Sequence, residues 1–439
     1  MSDLEIGALS IVAMLFLVYS GLHIAIAMAL LSFGCIWLVR DFGIAGKMAA
    51  LAATQALQRY EFGVIPLFVL MGLFVSVSDI GRDTYDVANH AFRRFRAGLG
   101  TATVAANAVF AAVTGTSIAS ASVFTKIAVP EMLRLGYQPR FAVGVVAGSS
   151  VLGMLIPPSL LLILFGILAE TSIGDLFIAG IVPGCILAAA YIVQIWLMAR
   201  FKPEYVQTGD SLGQTETPVL TPWEVFTKGA PIVILIGLVL GGIYGGVFTA
   251  TEAGGVGALA AFVLTLLRRK LTLASLWRVL VETGYVTAAI SFLLIAASLY
   301  SRMIAVTGIP TAMETAINHL NPGLYGLMAI YLVAIILMGT ILDSGSIMLI
   351  TVPIIVPAVA HFDVDLIWLG VVTIIAVEIG LLTPPFGVAV FVVQQNLKET
   401  GISLNDIFAG AAPFAITMAV VLFLVTVFPE LALWLVNLK

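Results

Sequence analysis

Two short stretches of the chain concentrate hydroxyl groups in sequence that is otherwise apolar. The first covers 114–122 and the second covers 339–346, which also carries a carboxylate. Hydroxyls, together with backbone carbonyls that a helix break leaves free, can replace the water around a sodium ion. These residue types therefore predict two cation-binding positions. The predicted ligands within the two stretches are Thr114, Gly115, Thr116, Ser117, Gly339, Thr340, Asp343 and Ser344.

A Pro-Pro pair follows each of these stretches at the same distance. Pro157-Pro158 ends the run Gly-Met-Leu-Ile-Pro-Pro, and Pro384-Pro385 ends the run Gly-Leu-Leu-Thr-Pro-Pro. The offset from Pro157 to Pro384 is 227 residues, and the same offset relates the two hydroxyl-rich stretches. Because proline removes an i to i−4 hydrogen bond, each pair must interrupt a helix. Matched breaks in two halves are typical of secondary transporters, whose discontinuous helices surround a site near the bilayer midplane.

The residues before the breaks add candidate ligands. Ser149 and Ser150 are predicted around the first cation, and Thr383 is predicted around the second. Helix N-termini that point inward at the breaks favour an anionic ligand, so a small carboxylate is predicted between the two stretches. Moving a dianion inward against 100 mV costs about 4.6 kcal/mol, and at least two Na⁺ are needed to cancel that cost. The predicted substrate-binding residues are Ser117, Ser120, Ser344, Ser346, Pro158 and Pro385.

The composition places this chemistry in a membrane. The 439 residues are 61% hydrophobic and 10% charged, whereas about a quarter of the residues in soluble domains are charged. Many apolar runs are long enough to cross a hydrocarbon core of about 30 Å, which predicts an all-α polytopic protein surrounded by lipid. The net charge of −4 and the lack of a basic face exclude a nucleic-acid partner. Uninterrupted spans are predicted at 5–20, 22–40, 62–81, 174–201, 228–247, 252–267, 284–303 and 405–434.

The matched pattern divides the chain into two repeats, 1–201 and 223–439, with a linker at 202–222. Each repeat is predicted to contain scaffold helices, a re-entrant helical hairpin, a broken transmembrane helix and a final span. In that order, the first repeat contains 1–98, 99–133, 139–170 and 174–201, and the second contains 223–308, 324–359, 364–397 and 405–434. Amphipathic stretches at 44–60, 83–98 and 271–283 are predicted to lie along the interface as arms.

The positive charges predict that the two repeats are inserted in opposite directions. The loop before the first hairpin holds four arginines, whereas the matching loop at 310–323 holds none. Cytoplasmic loops carry the excess of Lys and Arg, so one assignment follows, with about ten crossings, two hairpins and both termini outside the cytoplasm. The residues assigned to the cytoplasm are Arg82, Arg93, Arg94, Arg96, Arg134, Arg140, Arg200, Lys202, Arg268, Arg269, Lys270 and Lys398.

Three acidic residues lie within apolar segments. An acid at the bilayer centre costs about 2.5–3.5 kcal/mol on insertion scales and needs a partner. For Asp343 a bound cation is predicted, with a proton or a helix N-cap as alternatives. Glu378 is predicted either to orient the second break or to join the cation site. Glu252 is predicted to cap a helix through Thr249 or Thr251.

Three motifs resemble the large membrane subunit of the tripartite ATP-independent periplasmic (TRAP) transporters, of the DctM and SiaM type. They are Gly115–Ser122 with Pro130-Glu131-Met132, Gly246–Ala253 and Glu378–Gly387. The resemblance covers essentially the whole chain, although Ala250 stands where the family often has proline. It implies an elevator-type, Na⁺-coupled importer of organic acids in the bacterial inner membrane. It also implies two partners, a small four-helix membrane subunit and a soluble periplasmic substrate-binding protein.

Three other functions are weighed against this one. A stand-alone Na⁺- or H⁺-coupled dicarboxylate or anion carrier would share the inverted repeats and hairpins. An enzyme is not predicted, because the sequence has no His, Cys or acidic cluster spaced as a metal site or as a nucleophile with its base. A channel is not predicted either, because no ring-forming filter motif is present. The sequence leaves the identity of the organic acid and the number of Na⁺ ions open.

Overall fold

The chain is all-helical throughout the residues that the structure describes. The structure is a computed structural model, and it describes residues 2–95, 97–207, 219–320, 322–397 and 401–438. Within these ranges no strand forms, and Tyr137 and Gln207 make an isolated β-bridge. Six helices are long and apolar enough to cross a membrane, and a bent helix pair raises the number to seven. The predicted all-α polytopic fold is therefore confirmed, while the inverted orientation of the repeats stays a prediction.

The first half contains twelve α-helices within the described residues. Its first helix begins at a capping box, in which Ser2 and Glu5 satisfy each other's backbone N–H groups. The helices are α1 Asp3–Tyr19, α2 Ile24–Val39, α3 Phe42–Gln58, α4 Val64–Val77, α5 Ile80–Phe92, α6 Gly98–Thr114, α7 Ser117–Arg134, α8 Pro139–Ser150, α9 Leu152–Leu155, α10 Leu160–Ala169, α11 Ile173–Phe201 and α12 Pro203–Val206.

The second half contains ten α-helices within the described residues, and it too begins at a capping box, formed by Thr221 and Glu224. The helices are α13 Pro222–Tyr244, α14 Ala250–Leu267, α15 Leu273–Val306, α16 Ile309–Leu320, α17 Gly323–Gly339, α18 Ser344–Val359, α19 Leu366–Leu382, α20 Val388–Gln395, α21 Leu404–Val427 and α22 Glu430–Asn437. Most of the linker, together with Arg96 and Lys398, lies outside the described residues.

Helices α6 and α7 form the first hairpin, and α17 and α18 form the second. Each of these helices has 16 to 18 residues, and their outer ends lie within a residue of the predicted stretches. Helices α8 and α9 are separated from α10 by a bend of 40°. Both Pro-Pro peptide bonds are cis, and each lies in the gap between two helix segments. Re-entry of the hairpins into the bilayer stays a prediction.

The arm predicted at 271–283 is wrong as a separate element. Helix α15 runs without interruption for 34 residues from Leu273 to Val306, a length of about 51 Å. Its sequence contains no proline and a single glycine, Gly284, so nothing breaks the helix between the predicted arm and the predicted span. The arm and the span are therefore one helix.

Helices of the first half pack against helices of the second half. Helix α4 packs against α14, and α2 packs against α15. Ion pairs also connect the start of α5 to the second half: Asp83 pairs with Arg268 at 2.5 Å, and Asp79 pairs with Lys270 at 2.7 Å. Helix α7 packs against α20 and α18 packs against α10, so each hairpin contacts the broken helix of the other half.

Candidate functional site

The first hairpin tip lies directly on the first helix break. Gly115 ends α6 in a left-handed conformation, with φ at +64°. Its carbonyl accepts a hydrogen bond of 3.1 Å from the Leu160 N–H, just after the cis prolines. A Cβ atom on Gly115 would lie 2.6 Å from the Pro158 carbonyl oxygen. Thr116 then caps α7 by accepting from the Ala119 N–H at 3.2 Å. Glycine is therefore required here both for its conformation and for space.

The second tip meets the second break in the same way. The Thr340 carbonyl accepts a hydrogen bond of 3.1 Å from the Phe386 N–H, directly after the second cis pair. A Cβ atom on Gly339 would lie 2.7 Å from the Cα of Gly380. Asp343 caps α18 by accepting from the Ser346 N–H at 3.1 Å, and the Ser346 hydroxyl also donates to it. The N-cap alternative for Asp343 is thus present in the structure.

Five of the predicted hydroxyl ligands around the tips donate their hydrogens to their own helices. Thr114 donates to the Phe110 carbonyl at 3.1 Å, and Ser149 donates to the Val145 carbonyl at 2.6 Å. A hydroxyl that donates in this way keeps lone pairs that can bind a cation. The other three predicted ligands with this geometry are Ser150, Thr340 and Thr383, with donor–acceptor distances of 2.8, 2.8 and 2.7 Å.

The two tips differ in exposure. Thr114 and Ser117 in the first tip are 4% and 2% exposed, and Pro157 and Pro158 are buried. In the second half the corresponding prolines and Asp343 are exposed. A cavity of about 510 Å³ reaches this second tip. It is lined by Asp343, Ser346, Phe386, Ile341, Leu342 and, from the end of α1 and the start of α2, Val18, Tyr19, Leu22, His23 and Ile24.

Glu378 lies in α19, and the structure places it near the first tip rather than in the open cavity. The residue is fully buried, and neither carboxyl oxygen has a hydrogen-bond partner. The Ser117 hydroxyl at the start of α7 interacts with the carboxyl without reaching hydrogen-bond geometry. The buried Tyr191 hydroxyl also interacts with Glu378 and has no hydrogen-bond partner. A carboxylate from the second half thus faces the hairpin tip of the first half.

The remaining predicted residues have ordinary surroundings. Glu252 is exposed and forms a capping box with Thr249, which matches the preferred interpretation of this acid. Ser120 is fully buried, and its hydroxyl has no partner. Ser344 and Ser346 begin α18 beside Asp343.

Sequence reasoning missed two residues of this region. The Asn107 side-chain amide donates to the Ser149 hydroxyl at 2.6 Å, while its side-chain oxygen Oδ1 has no hydrogen-bond partner. Its signal was a single amide in the apolar helix α6. Nothing in the sequence pointed to Tyr191, because a tyrosine within an apolar helix such as α11 is usually a packing residue. His23 was not among the predicted site residues, and the structure places it in the wall of the cavity.

The match to known families covers nearly all of the chain. The family described as "Tripartite ATP-independent periplasmic transporter, DctM component" matches residues 11–431. The C4-dicarboxylate TRAP transporter large permease protein DctM of Pseudomonas aeruginosa is 32% identical over 393 residues, covering 89% of this chain and 90% of the relative. The sialic acid TRAP transporter large permease protein SiaM of Vibrio cholerae is 27% identical over 430 residues, covering 98% of each.

Solved structures with a similar fold are also transporters. The YdaH transporter of Alcanivorax borkumensis has a TM-score of 0.58 at 12% identity, covering 90% of this chain and 88% of that one. The MtrF efflux pump of Neisseria gonorrhoeae has a TM-score of 0.59 at 11% identity, covering 91% and 85%. These likenesses concern the fold alone, whereas the sequence matches confirm the resemblance seen in the motifs. The chain therefore belongs to the DctM family of tripartite ATP-independent periplasmic transporter components, and it is a transport subunit and not an enzyme.

Proposed function

We propose that the chain imports a small organic acid together with Na⁺ across the bacterial inner membrane. Relatives are named for C4-dicarboxylate, sialic acid, 2,3-diketo-L-gulonate and ectoine. These compounds differ in size and charge, but each of them carries a carboxylate. A carboxylate is therefore the substrate feature that this site is proposed to recognise. The small membrane subunit and the periplasmic substrate-binding protein are proposed as partners from family membership.

The observation that carries the proposal is the pairing of each hairpin tip with a helix break. At both places a tip carbonyl, on Gly115 or Thr340, accepts from a backbone amide within two residues after the cis prolines. Around both contacts, hydroxyls that donate to their own helices present lone pairs. Carbonyls and hydroxyls of this kind at broken helices are the ligands that Na⁺-coupled transporters use. Two Na⁺ sites are therefore proposed, one at each tip.

Two carboxylates support the charge balance of these sites. Asp343 lies in the second tip, and Glu378 faces Ser117 in the first. An unpaired carboxylate that is fully buried is strongly unfavourable, so Glu378 needs a positive partner or a proton. We place Glu378 beside the first Na⁺, where one carboxylate would offset each cation. Coordination by Glu378 then replaces its alternative role of only orienting the break.

The substrate is proposed to reach the second tip through the cavity of about 510 Å³. Its carboxylate would meet the N-terminus of α18 near Ser344 and Ser346, where backbone N–H groups and the helix dipole favour an anion. The predicted contacts with Ser117, Ser120, Pro158 and Pro385 would form when the substrate lies between the two tips. The cross-packing of hairpins and broken helices supports one moving body, as an elevator mechanism requires.

The experiment is uptake into proteoliposomes that contain this chain and its small membrane subunit. A C4-dicarboxylate and a sialic acid are the first labelled probes, each presented with a candidate periplasmic binding protein. We expect uptake that requires an inward Na⁺ gradient, the binding protein and the small subunit together. Uptake by this chain without either partner would instead identify a stand-alone carrier. Equal uptake with K⁺ replacing Na⁺ would refute the proposed coupling.

A further inference from the structure

A second polar cavity, of about 210 Å³, lies away from both hairpin tips. Four parts of the fold meet around it: the end of α3, the end of α10, the last third of α15 and the middle of α18. The polar and charged residues in its lining are Gln55, Arg59, Glu170, Ser298, Ser301 and Arg302. The remaining lining residues are apolar, and neither Arg59 nor Arg302 takes part in the proposed cation and substrate sites.

The charges in this cavity do not balance. Arg59 forms an ion pair with Glu170 and also donates to the Ile167 carbonyl at 3.5 Å. Arg302 donates from one terminal nitrogen to the Gln55 side chain, which is neutral. Among the residues that line the cavity, two guanidinium groups therefore face one carboxylate. One positive charge is left over, and it belongs to Arg302.

Arg302 also has an unused donor. Its Nε–H is buried and has no hydrogen-bond partner. A buried donor without a partner costs about 1–3 kcal/mol, and more when the group is charged. Ser298 and Ser301 line the same cavity within one turn of Arg302, and their hydroxyls can donate alongside the Arg302 guanidinium. A guanidinium edge with two hydroxyls is a donor set suited to an oxyanion.

We propose that this cavity, which we call the Arg302 cavity, binds a singly charged oxyanion. Either the phosphodiester of a phospholipid headgroup or a carboxylate of a small acid has the right charge to neutralise the surplus of one. The volume admits a headgroup-sized anion, and the apolar lining residues Ile167, Leu168, Leu294 and Pro353 would tolerate the start of an acyl chain. The binding claim does not depend on the proposed transport function.

If the proposed transport function is correct, an anion in the Arg302 cavity should also affect the rate of uptake. Helices α3 and α15 belong to the predicted scaffold, whereas α10 and α18 belong to the predicted moving body. An anion in the Arg302 cavity would bridge the two bodies and stabilise the arrangement seen here. Occupancy is therefore expected to slow uptake without changing which substrate is carried.

The test measures binding to the purified chain in detergent. Native mass spectrometry counts bound phosphatidylglycerol, with phosphatidylcholine as the neutral comparison lipid. Inorganic phosphate and acetate are added as competitors to distinguish a lipid from a small acid. The variants are Arg302→Gln, Glu170→Gln and, as a control, Arg278→Gln. Arg278 is an exposed arginine of the same helix outside the cavity.

We expect Arg302→Gln to weaken anion binding by about tenfold or more, because a hydrogen bond to a charged group contributes about 1.5–3 kcal/mol. Glu170→Gln should strengthen binding severalfold, because it removes the only opposing charge in the lining. Glu170 has a side chain that is 69% exposed, so this variant should fold normally. Arg278→Gln should bind as the unmodified chain does.

Displacement of bound lipid by acetate or phosphate would identify a small anion as a ligand, and resistance to both would identify the lipid. Either result supports the cavity as an oxyanion site. Equal binding by Arg302→Gln and Arg278→Gln would overturn the proposal, as would weaker binding by Glu170→Gln. These readouts need no transport, so they stay informative even if the proposed Na⁺ coupling is wrong.

Discussion

Replacing Asp343 separates its role as a helix cap from its proposed role as a cation ligand. The carboxylate accepts from the Ser346 N–H and hydroxyl at the start of α18, so it caps the helix in this structure. Serine also caps helices well but has no charge, whereas alanine neither caps a helix nor carries a charge. Asp343→Ser should therefore keep the helix start and lose the cation, while Asp343→Ala should lose both.

The two contributions have different magnitudes and respond differently to Na⁺. Losing the cap costs about 0.5–2 kcal/mol at any Na⁺ concentration. Losing a cation site removes stabilisation that appears only with Na⁺ and reaches about 2.7 kcal/mol at one hundred times the Kd. In Na⁺-free buffer we expect Asp343→Ser to be nearly as stable as the unmodified chain and Asp343→Ala to be weaker. At high Na⁺ both variants should lack most of the stabilisation that Na⁺ gives to the unmodified chain.

The assay is thermal unfolding of the purified protein in detergent across a Na⁺ titration, with K⁺ keeping the ionic strength constant. Asp365→Ser is the matched control, because Asp365 caps α19 by accepting from the Ile367 N–H at 2.7 Å and lies away from both tips. In proteoliposomes both Asp343 variants should insert normally and lose Na⁺-dependent uptake. If Asp343→Ser keeps the full Na⁺-dependent stabilisation and full uptake, Asp343 is only a helix cap and its proposed role as a cation ligand is refuted.

Three further changes test other contacts. Gly380→Ala places a Cβ atom 2.5 Å from the Cα of Gly339, so it should lower the free energy of unfolding by about 1–3 kcal/mol. Gly237→Ala, which has open space around it, should not lower the free energy of unfolding. Equal thermal stability of the two variants would contradict the close packing of tip and break. Glu378→Gln should unfold no more easily than the unmodified chain without Na⁺, since it removes an unpaired buried acid, but should lower the apparent Na⁺ affinity of uptake; unchanged affinity would restore the orienting role. Asn107→Leu removes the donor to Ser149 and should likewise raise the Na⁺ concentration needed for half-maximal uptake; an unchanged Na⁺ requirement would leave Asn107 a packing residue.

Local chemistry explains what the sequence could predict. The tips and breaks were visible because Gly115 and the two Pro-Pro pairs interrupt helices through their own backbone limits. Capping by Glu252 was visible because Thr249 stands three residues before it. These features depend on residues that are neighbours in the chain, so the local sequence is sufficient to predict them.

The features that could not be predicted depend on residues far apart in the chain. Glu378 faces Ser117 only because α19 packs across the boundary between the halves. The wall of the open cavity brings His23 near Asp343, and no local pattern relates these two residues. The continuous helix α15 was misread for a different reason. Its amphipathic beginning suggested an arm, although helix breakers were absent.

The exchange of partners between α7 and α20, and between α18 and α10, has a consequence for how the chain can assemble. Neither hairpin can complete its packing until the opposite half has been synthesised and inserted. A fragment that stops before α13 would leave the docking surfaces of α7 and α10 bare, so quality-control proteases should remove it unless the complementary fragment is made in the same cell. Severed within 202–222, the two pieces are expected to recombine into one functional unit only as a pair.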